Sequence, residues 1–359
     1  ICGTSLGIPE VELSIRDFLV LPWSVQLFAL KGKISLGWLG EVAMRERGMD
    51  ADTIHLEAYL HQLSLYGRFG KPSWKLKVYA GLNHLAFWGN EGDYYNSDFT
   101  LSPFTTFVYV LTGKRYNYGS IQDERLGNHL GSIDIGVAYE FDKIQLSIYR
   151  QNIYDVGALG HLANIQDGLN GISLHNKQIN KNSTSWRKLL IEFLYTKNQA
   201  GEPWSPPTPS PYEPYYNHVQ FINGWSYQGI GLGTPFITTR YDARASLPYH
   251  PYHYFINNRV LAFHIGFEGF YKGLNYRIKG SWSKNYGTYA TTDEEQTTDI
   301  PNPGAYGIFG EQNQVSTYMA VNKPIRNGYN MGLIGAFDRG TLLYNSFGLF
   351  LKISYSFDL

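Results

Sequence analysis

From Leu349 onward the chain alternates: Leu349, Leu351, Ile353, Tyr355, Phe357 and Leu359 share one face, and Phe350, Lys352, Ser354, Ser356 and Asp358 share the other. Successive side chains on a strand point to opposite faces, so this segment predicts a strand with one apolar and one largely polar side. Its length fits the roughly 9–11 residues of a tilted membrane-spanning strand and exceeds the about 5–6 of an ordinary one. The pattern recurs at Trp74–Asn83, Ile133–Phe141 and Leu274–Ser283. It recurs again from Ile54, where Leu56, Ala58 and Leu60 give way to Leu63 and Leu65 on the other phase, a slip that predicts a bulge. Further strand candidates are 11–20, 24–38, 143–153, 168–176, 184–197, 256–271, 314–322 and 327–338. Phe141-Asp142-Lys143 and Tyr271-Lys272-Gly273 read as tight hairpin joins.

Long polar connections interrupt the alternation at about 88–126, 198–250 and 284–313. The second holds Pro203, Pro206, Pro207, Pro209, Pro211 and Pro214, too many for ladder hydrogen bonding. Only 94–112 suggests a helix, and Pro103 weakens that reading. No linker and no repeat divides the chain, so 1–359 reads as a single domain.

A soluble sheet also alternates. Three features favour a membrane barrel instead: long strands, short turns alternating with long loops, and aromatics at strand ends. The expected fold is an all-β, closed antiparallel transmembrane barrel of about 14–18 strands, best 16–18, with short periplasmic turns and long extracellular loops.

Composition narrows the function. Lys plus Arg and Asp plus Glu stand at 30 each, which argues against a nucleic-acid partner. With 43% hydrophobic residues, disorder is excluded. The single cysteine, Cys2, supports neither a disulfide framework nor a multi-cysteine metal site. No secretory signal opens the chain, as expected of a mature or trimmed form.

Catalytic signatures are missing: there is no Gly-x-Ser-x-Gly elbow and no phosphate loop, so no catalytic residue, metal ligand or cofactor is assigned and the chain is read as a non-enzyme. His55 and His61 lie about 20 Å apart on one strand face, too far to share an ion. His250 and His253 could chelate only in a special turn. Acids on the polar strand faces, Glu57, Asp134 and Glu140, are expected to pair with Lys75, Lys77, Arg277 or Lys279. The acidic run 293–299 reads as a solvated loop.

The remaining chemistry is aromatic: 20 Phe, 8 Trp and 29 Tyr. Rings beside amides and hydroxyls suit carbohydrate, because the ring packs on the apolar C–H face of a sugar while polar groups take its hydroxyls. The candidates are His84, Trp88, Tyr94, Tyr95, Tyr215, Tyr216, Asn217, Trp225 and Tyr227. The same residues can equally be packed wall, girdle or loop structure. Tyr212, Tyr249 and Tyr252 fall in similar polar connections, which favour a neutral, hydroxyl-rich ligand.

Several short motifs together resemble the Wzi-like capsule-assembly family of outer-membrane proteins. They are Tyr59-Leu60-His61-Gln62, Gly81-Leu82-Asn83-His84 with Trp88-Gly89, Asp167-Gly168-Leu169, Asn217-His218, Gly224-Trp225-Ser226-Tyr227, Leu232-Gly233-Thr234-Pro235 and Asp338-Arg339-Gly340. The resemblance runs from about residue 11 to the end. It implies an integral outer-membrane barrel of about 18 strands in a Gram-negative cell, with lipid around it. Such a barrel binds capsular or other surface polysaccharide and helps attach or assemble it; any capsule-export or other outer-membrane protein partner is unspecified. The chain departs from the family in leaving little room for an N-terminal helical bundle. A porin-like diffusion channel is the alternative, followed by a barrel-borne hydrolase.

Overall fold

The computed structural model describes residues 6–46, 52–155, 158–200, 213–292, 305–325 and 328–356. In chain order the strands are β1 (Glu10–Val20), β2 (Phe28–Arg45), β3 (Thr53–Phe69), β4 (Leu76–Trp88), β5 (Arg115–Tyr118), β6 (Ile121–Arg125), β7 (Asn128–Glu140), β8 (Ile144–Tyr154), β9 (Gly168–Asn176) and β10 (Ser185–Tyr195). After these come β11 (Ser226–Tyr227), β12 (Ile230–Gly231), β13 (Thr238–Thr239), β14 (Phe255–Asn257), β15 (Val260–Tyr271), β16 (Leu274–Asn285), β17 (Gln312–Pro324), β18 (Tyr329–Gly340) and β19 (Ser346–Tyr355). Thirteen of them form one antiparallel sheet in the order β1-β2-β3-β4-β7-β8-β9-β10-β15-β16-β17-β18-β19, and the short ones pair as β5–β6, β11–β12 and β13–β14. There are two α-helices among the described residues, α1 (Glu91–Tyr95) and α2 (Pro103–Thr112).

The thirteen segments singled out by alternation are the thirteen strands of this sheet. The larger expected number fills the chain with strands of about 10 residues and unequal connections between them. Residues 89–127, 196–200 and 213–259 are instead spent on insertions that return over the sheet. Closure is also corrected: among the described residues no ladder joins β1 to β19, so the sheet is open. No described helix is long and apolar enough to cross a membrane.

Register sorts the side chains, because directly opposed residues share a face. Leu65, Leu82 and Ile133 form one cross-strand row, and Tyr66, Gly81 and Asp134 form the next row on the opposite face. On the first face large apolar side chains stay exposed from edge to edge, among them Leu13, Leu65, Leu76, Ile135, Ile172, Phe263, Ile278, Leu333 and Ile353. The other face carries Lys33, Ser64, Asp134, Gln151, Glu192 and Lys279. At the short-turn margin the apolar face ends in aromatic pairs: Phe28 with Phe69 at 5.3 Å, Tyr139 with Phe141 at 4.6 Å and Tyr329 with Tyr355 at 4.7 Å. The tight joins form as expected. Lys272 and Gly273 connect β15 to β16 with φ of 47° and 84°, the two positive values of the turn that matches strand twist.

Two local expectations change. β3 holds its register against β4 throughout, and the bulge lies opposite it in β2, between Trp38 and Gly40. The apparent slip in β3 arises because apolar residues near the long-connection end are covered on both faces. Pro103 does not weaken its helix; it starts it. Ser102 is the N-cap, its Oγ accepting from Thr105 N at 3.3 Å, and Pro103 occupies the first turn, where a missing N–H costs nothing.

Candidate functional site

Phe87 and Trp88 end β4 pointing to opposite faces, and both are buried. On the apolar face, Trp88 packs against Phe107 of α2 at 5.2 Å and Tyr59 at 5.8 Å. Phe107 also meets His61 edge-on at 5.2 Å. Beneath the same cover His84 Nε2 lies 2.9 Å from His129 Nδ1, and His129 Nε2 lies 2.8 Å from the Leu126 carbonyl. With His129 Nε2–H donating to that carbonyl, its Nδ1 accepts from His84 Nε2–H, which satisfies His129 as a neutral imidazole and leaves His84 Nδ1 buried without a partner among the described residues.

On the polar face, Trp225 packs against Phe87 with ring centres 4.3 Å apart and planes tilted by 43°. Its segment is anchored by a buried polar network. Tyr215 donates through its hydroxyl to Asp167 Oδ2 at 2.8 Å and accepts from Asn164 Nδ2 at 2.9 Å. Asp167 also accepts from the backbone N–H of Asn198 and Gln199 at 3.0 and 2.7 Å. Asp155 Oδ2 accepts from Tyr216 N at 3.0 Å. Asn217 and Phe255 are joined by two bonds of 2.9 Å, and Tyr216 packs edge-on against Phe255. Burial pushes the Asp167 carboxyl up to about 6 and Asp155 well above its ordinary value, and buried Glu213 adds to both. Burial lowers His218 to about 4.

The proposed sugar contacts are therefore mostly interior. His84, Trp88, Tyr94, Tyr95, Tyr215, Tyr216, Asn217 and Trp225 are buried, and protein already occupies the ring faces a sugar would use. Tyr227 is half-buried, its hydroxyl accepting from Gln228 at 3.3 Å. Tyr249 and Tyr252 are exposed, Tyr252 beneath the Arg45 guanidinium. Tyr212, the prolines from Pro203 to Pro211, the acidic run and Cys2 lie outside the described residues. Among the described residues no group of three His, Cys, Asp or Glu is placed to hold a metal.

A second constellation lies lower on the polar face. One cross-strand row reads Lys31, Tyr66, Gly81, Asp134, Gln151, and the next reads Arg68, Tyr79, Gly136, Tyr149, Gly171. The first row, with Tyr79, Gly136 and Tyr149 of the second, lines a recess of about 320 Å³. Tyr66 lies against Gly81, where a Cβ would come within 2.3 Å of the ring, and Tyr149 lies against Gly171, where the distance would be 2.2 Å. Asp134 Oδ2 accepts from Tyr66 at 2.6 Å, Asn83 at 3.0 Å and Gln151 at 2.8 Å. The expected Asp134–lysine pairing is thus replaced by three neutral donors. Glu140 instead pairs with Lys177 at 2.5 Å, Lys75 with Asp142 at 3.2 Å and Arg277 with Glu268 at 2.6 Å.

No family model and no curated protein matches the chain. Among solved structures, BamA from Haemophilus ducreyi lacking POTRA domains 1-3 aligns at 12% identity with a TM-score of 0.39, covering 96% of this chain. This chain spans 61% of the length of that one. A likeness of that size carries no argument about function, and the Wzi-like resemblance rests on its short motifs alone.

The sequence reading missed the recess. Its visible signal was tyrosine at polar positions of alternating strands, with Gly81, Gly136 and Gly171 at polar positions of others. Matching each ring to its glycine requires the register.

Proposed function

We propose that this chain forms the wall of an integral outer-membrane β-barrel that binds surface polysaccharide without catalysis and helps hold it at the cell surface. The observation that carries the membrane reading is the inverted polarity of the sheet. Away from the 89–127 cover at the long-connection end, apolar side chains stay exposed across thirteen strands and are bordered by aromatic pairs, whereas the hydrogen-bonded polar face receives the 213–257 insertion. A soluble sheet would turn its polar face to water, and an apolar band edged by aromatics suits lipid. Support for polysaccharide comes from the tyrosine-lined recess and from the Wzi-like motifs. The Trp225 segment packed on the polar face weighs against a wide diffusion channel.

The test is made on the protein in cells and in detergent. It should fractionate with outer membrane, migrate anomalously unless boiled, and retain the host's surface polysaccharide in a pull-down. A soluble fraction, or a folded protein that retains no polysaccharide, would overturn the corresponding half of the reading.

A further inference from the structure

We propose that the recess of about 320 Å³ is a subsite for one anionic sugar residue, a hexuronate unit of an acidic polysaccharide, an inference that rests on the polysaccharide reading above. Its size stands at the lower end of ligand pockets, roughly 300–1,000 Å³. Three features of different kinds meet there.

The first is a pair of flat rings. Tyr66 and Tyr149 lie flat because the facing residues are Gly81 and Gly171, and both rings line the recess. The flat packing occupies one face of each ring; Lys31 Nζ stands over the Tyr66 ring at 5.1 Å, so Tyr149 is the platform for the C–H face of a sugar and Tyr66 holds the cation beside it.

The second is an unanswered acceptor. Asp134 is only 7% exposed, and its Oδ2 takes all three donors while its buried Oδ1 has no hydrogen-bond partner. A buried acceptor without a donor is costly. A sugar hydroxyl supplies one.

The third is uncompensated positive charge. Lys31 Nζ stands 5.1 Å from the Tyr66 ring centre and 5.0 Å from that of Phe18, and the Arg68 guanidinium lies 5.1 Å from Phe18. Neither has a carboxylate within ion-pair distance among the described residues, although Lys33, two positions on, reaches Glu12 at 3.5 Å. Tyr66, Asn83 and Gln151 are neutral donors and leave the charge of Asp134 in place, so Lys31 in the lining and Arg68 in the next row outnumber it by one. Two cations beside a sugar platform call for a carboxylate on the ligand. This reverses the neutral ligand favoured by composition, because net charge over the whole chain is blind to local imbalance.

The experiment is calorimetry on the detergent-solubilised full chain with trigalacturonate and, as the neutral control, maltotriose. The wild type is expected to bind trigalacturonate at least ten-fold more tightly, with affinity falling as salt rises. Lys31→Gln and Arg68→Gln should each shrink that preference several-fold and Lys31→Arg should keep it, heat-modifiable migration verifying the fold of each. Equal affinity for the two trisaccharides, or an unchanged preference in both folded glutamine variants, overturns the proposal. Binding of neither overturns it as well. In that case a positive polysaccharide pull-down leaves the broader function standing, and a negative one removes both.

Discussion

Phe87 and Trp88 are neighbours in the chain, yet each is buried by a different insertion on a different face of the sheet. Residues 89–127 fold over the apolar face and set Phe107 on Trp88 and His61. Residues 213–257 fold over the polar face and set Trp225 on Phe87. The two covers solve different problems. Over apolar strands, a helix with one ring suffices, and the histidines it covers share a single hydrogen bond, from His84 to His129. Over polar strands, each buried donor and acceptor needs a partner, so that cover is tied down by Asp155, Asp167, Tyr215, Asn217 and Asn258. Both covers bury a carboxyl whose protonation is favoured by burial, Glu91 in the first at about 7 and Asp167 beneath the second at about 6, but only the second is held down through it, by Tyr215.

The largest effect should come from Trp225→Ala, which empties a fully buried site beside Phe87. It is expected to cost about 3–5 kcal/mol and to raise hydrogen exchange across 213–257 while leaving α2 protected. Joint loosening of both insertions would show that the covers are one unit.

A second test separates the covers by pH. Below its raised value of about 6, and down to its ordinary 3.8, Asp167 holds a proton in the folded state that the unfolded chain has released. That contribution to stability is therefore lost as pH rises through the window. Buried His218 works in the opposite sense: lowered from 6.5 to about 4, it costs stability as pH falls. Asp167→Asn removes the first contribution and leaves the second. Relative to wild type, the variant should gain about 3 kcal/mol between pH 4 and above 6, read as exchange protection of the Tyr215 and Tyr216 amides. A constant difference across that range would remove the carboxyl from the anchor.

The smallest effect belongs to the apolar side. Phe107→Ala removes a half-buried ring and should cost about 1–2 kcal/mol, with no pH dependence of its own. It should speed chemical modification of His61 and leave the Trp225 segment undisturbed. A change in the exchange of 213–257 would break the separation.

The strands were legible because alternation is local. Gly168–Asn176 follows from nine consecutive residues, and Tyr271-Lys272-Gly273 declares its own turn. The covers were not legible, because nothing near Trp225 states that Phe87 will meet it. Rings in polar connections therefore read as ligand contacts when they are the interior of an insertion. Tyr227 escapes burial, whereas its neighbours Trp225 and Ser226 do not. The recess depends on pairings such as Tyr66 with Gly81 across two strands, and a shift of one residue would have sent those rings to the other face. Charge misled in the same way: Asp134 was matched to lysines by sign, whereas geometry gave it a hydroxyl and two amides.

The open margins also have a parity. Thirteen strands, each antiparallel to the next, make β1 and β19 point the same way. A ladder drawn directly between them would be the sheet's only parallel one. Any closure that keeps the antiparallel pattern must place an odd number of strands between the two margins, its first and last members both running opposite to β1 and β19. Direction alone thus sets which additions can complete the wall, before any side chain is considered.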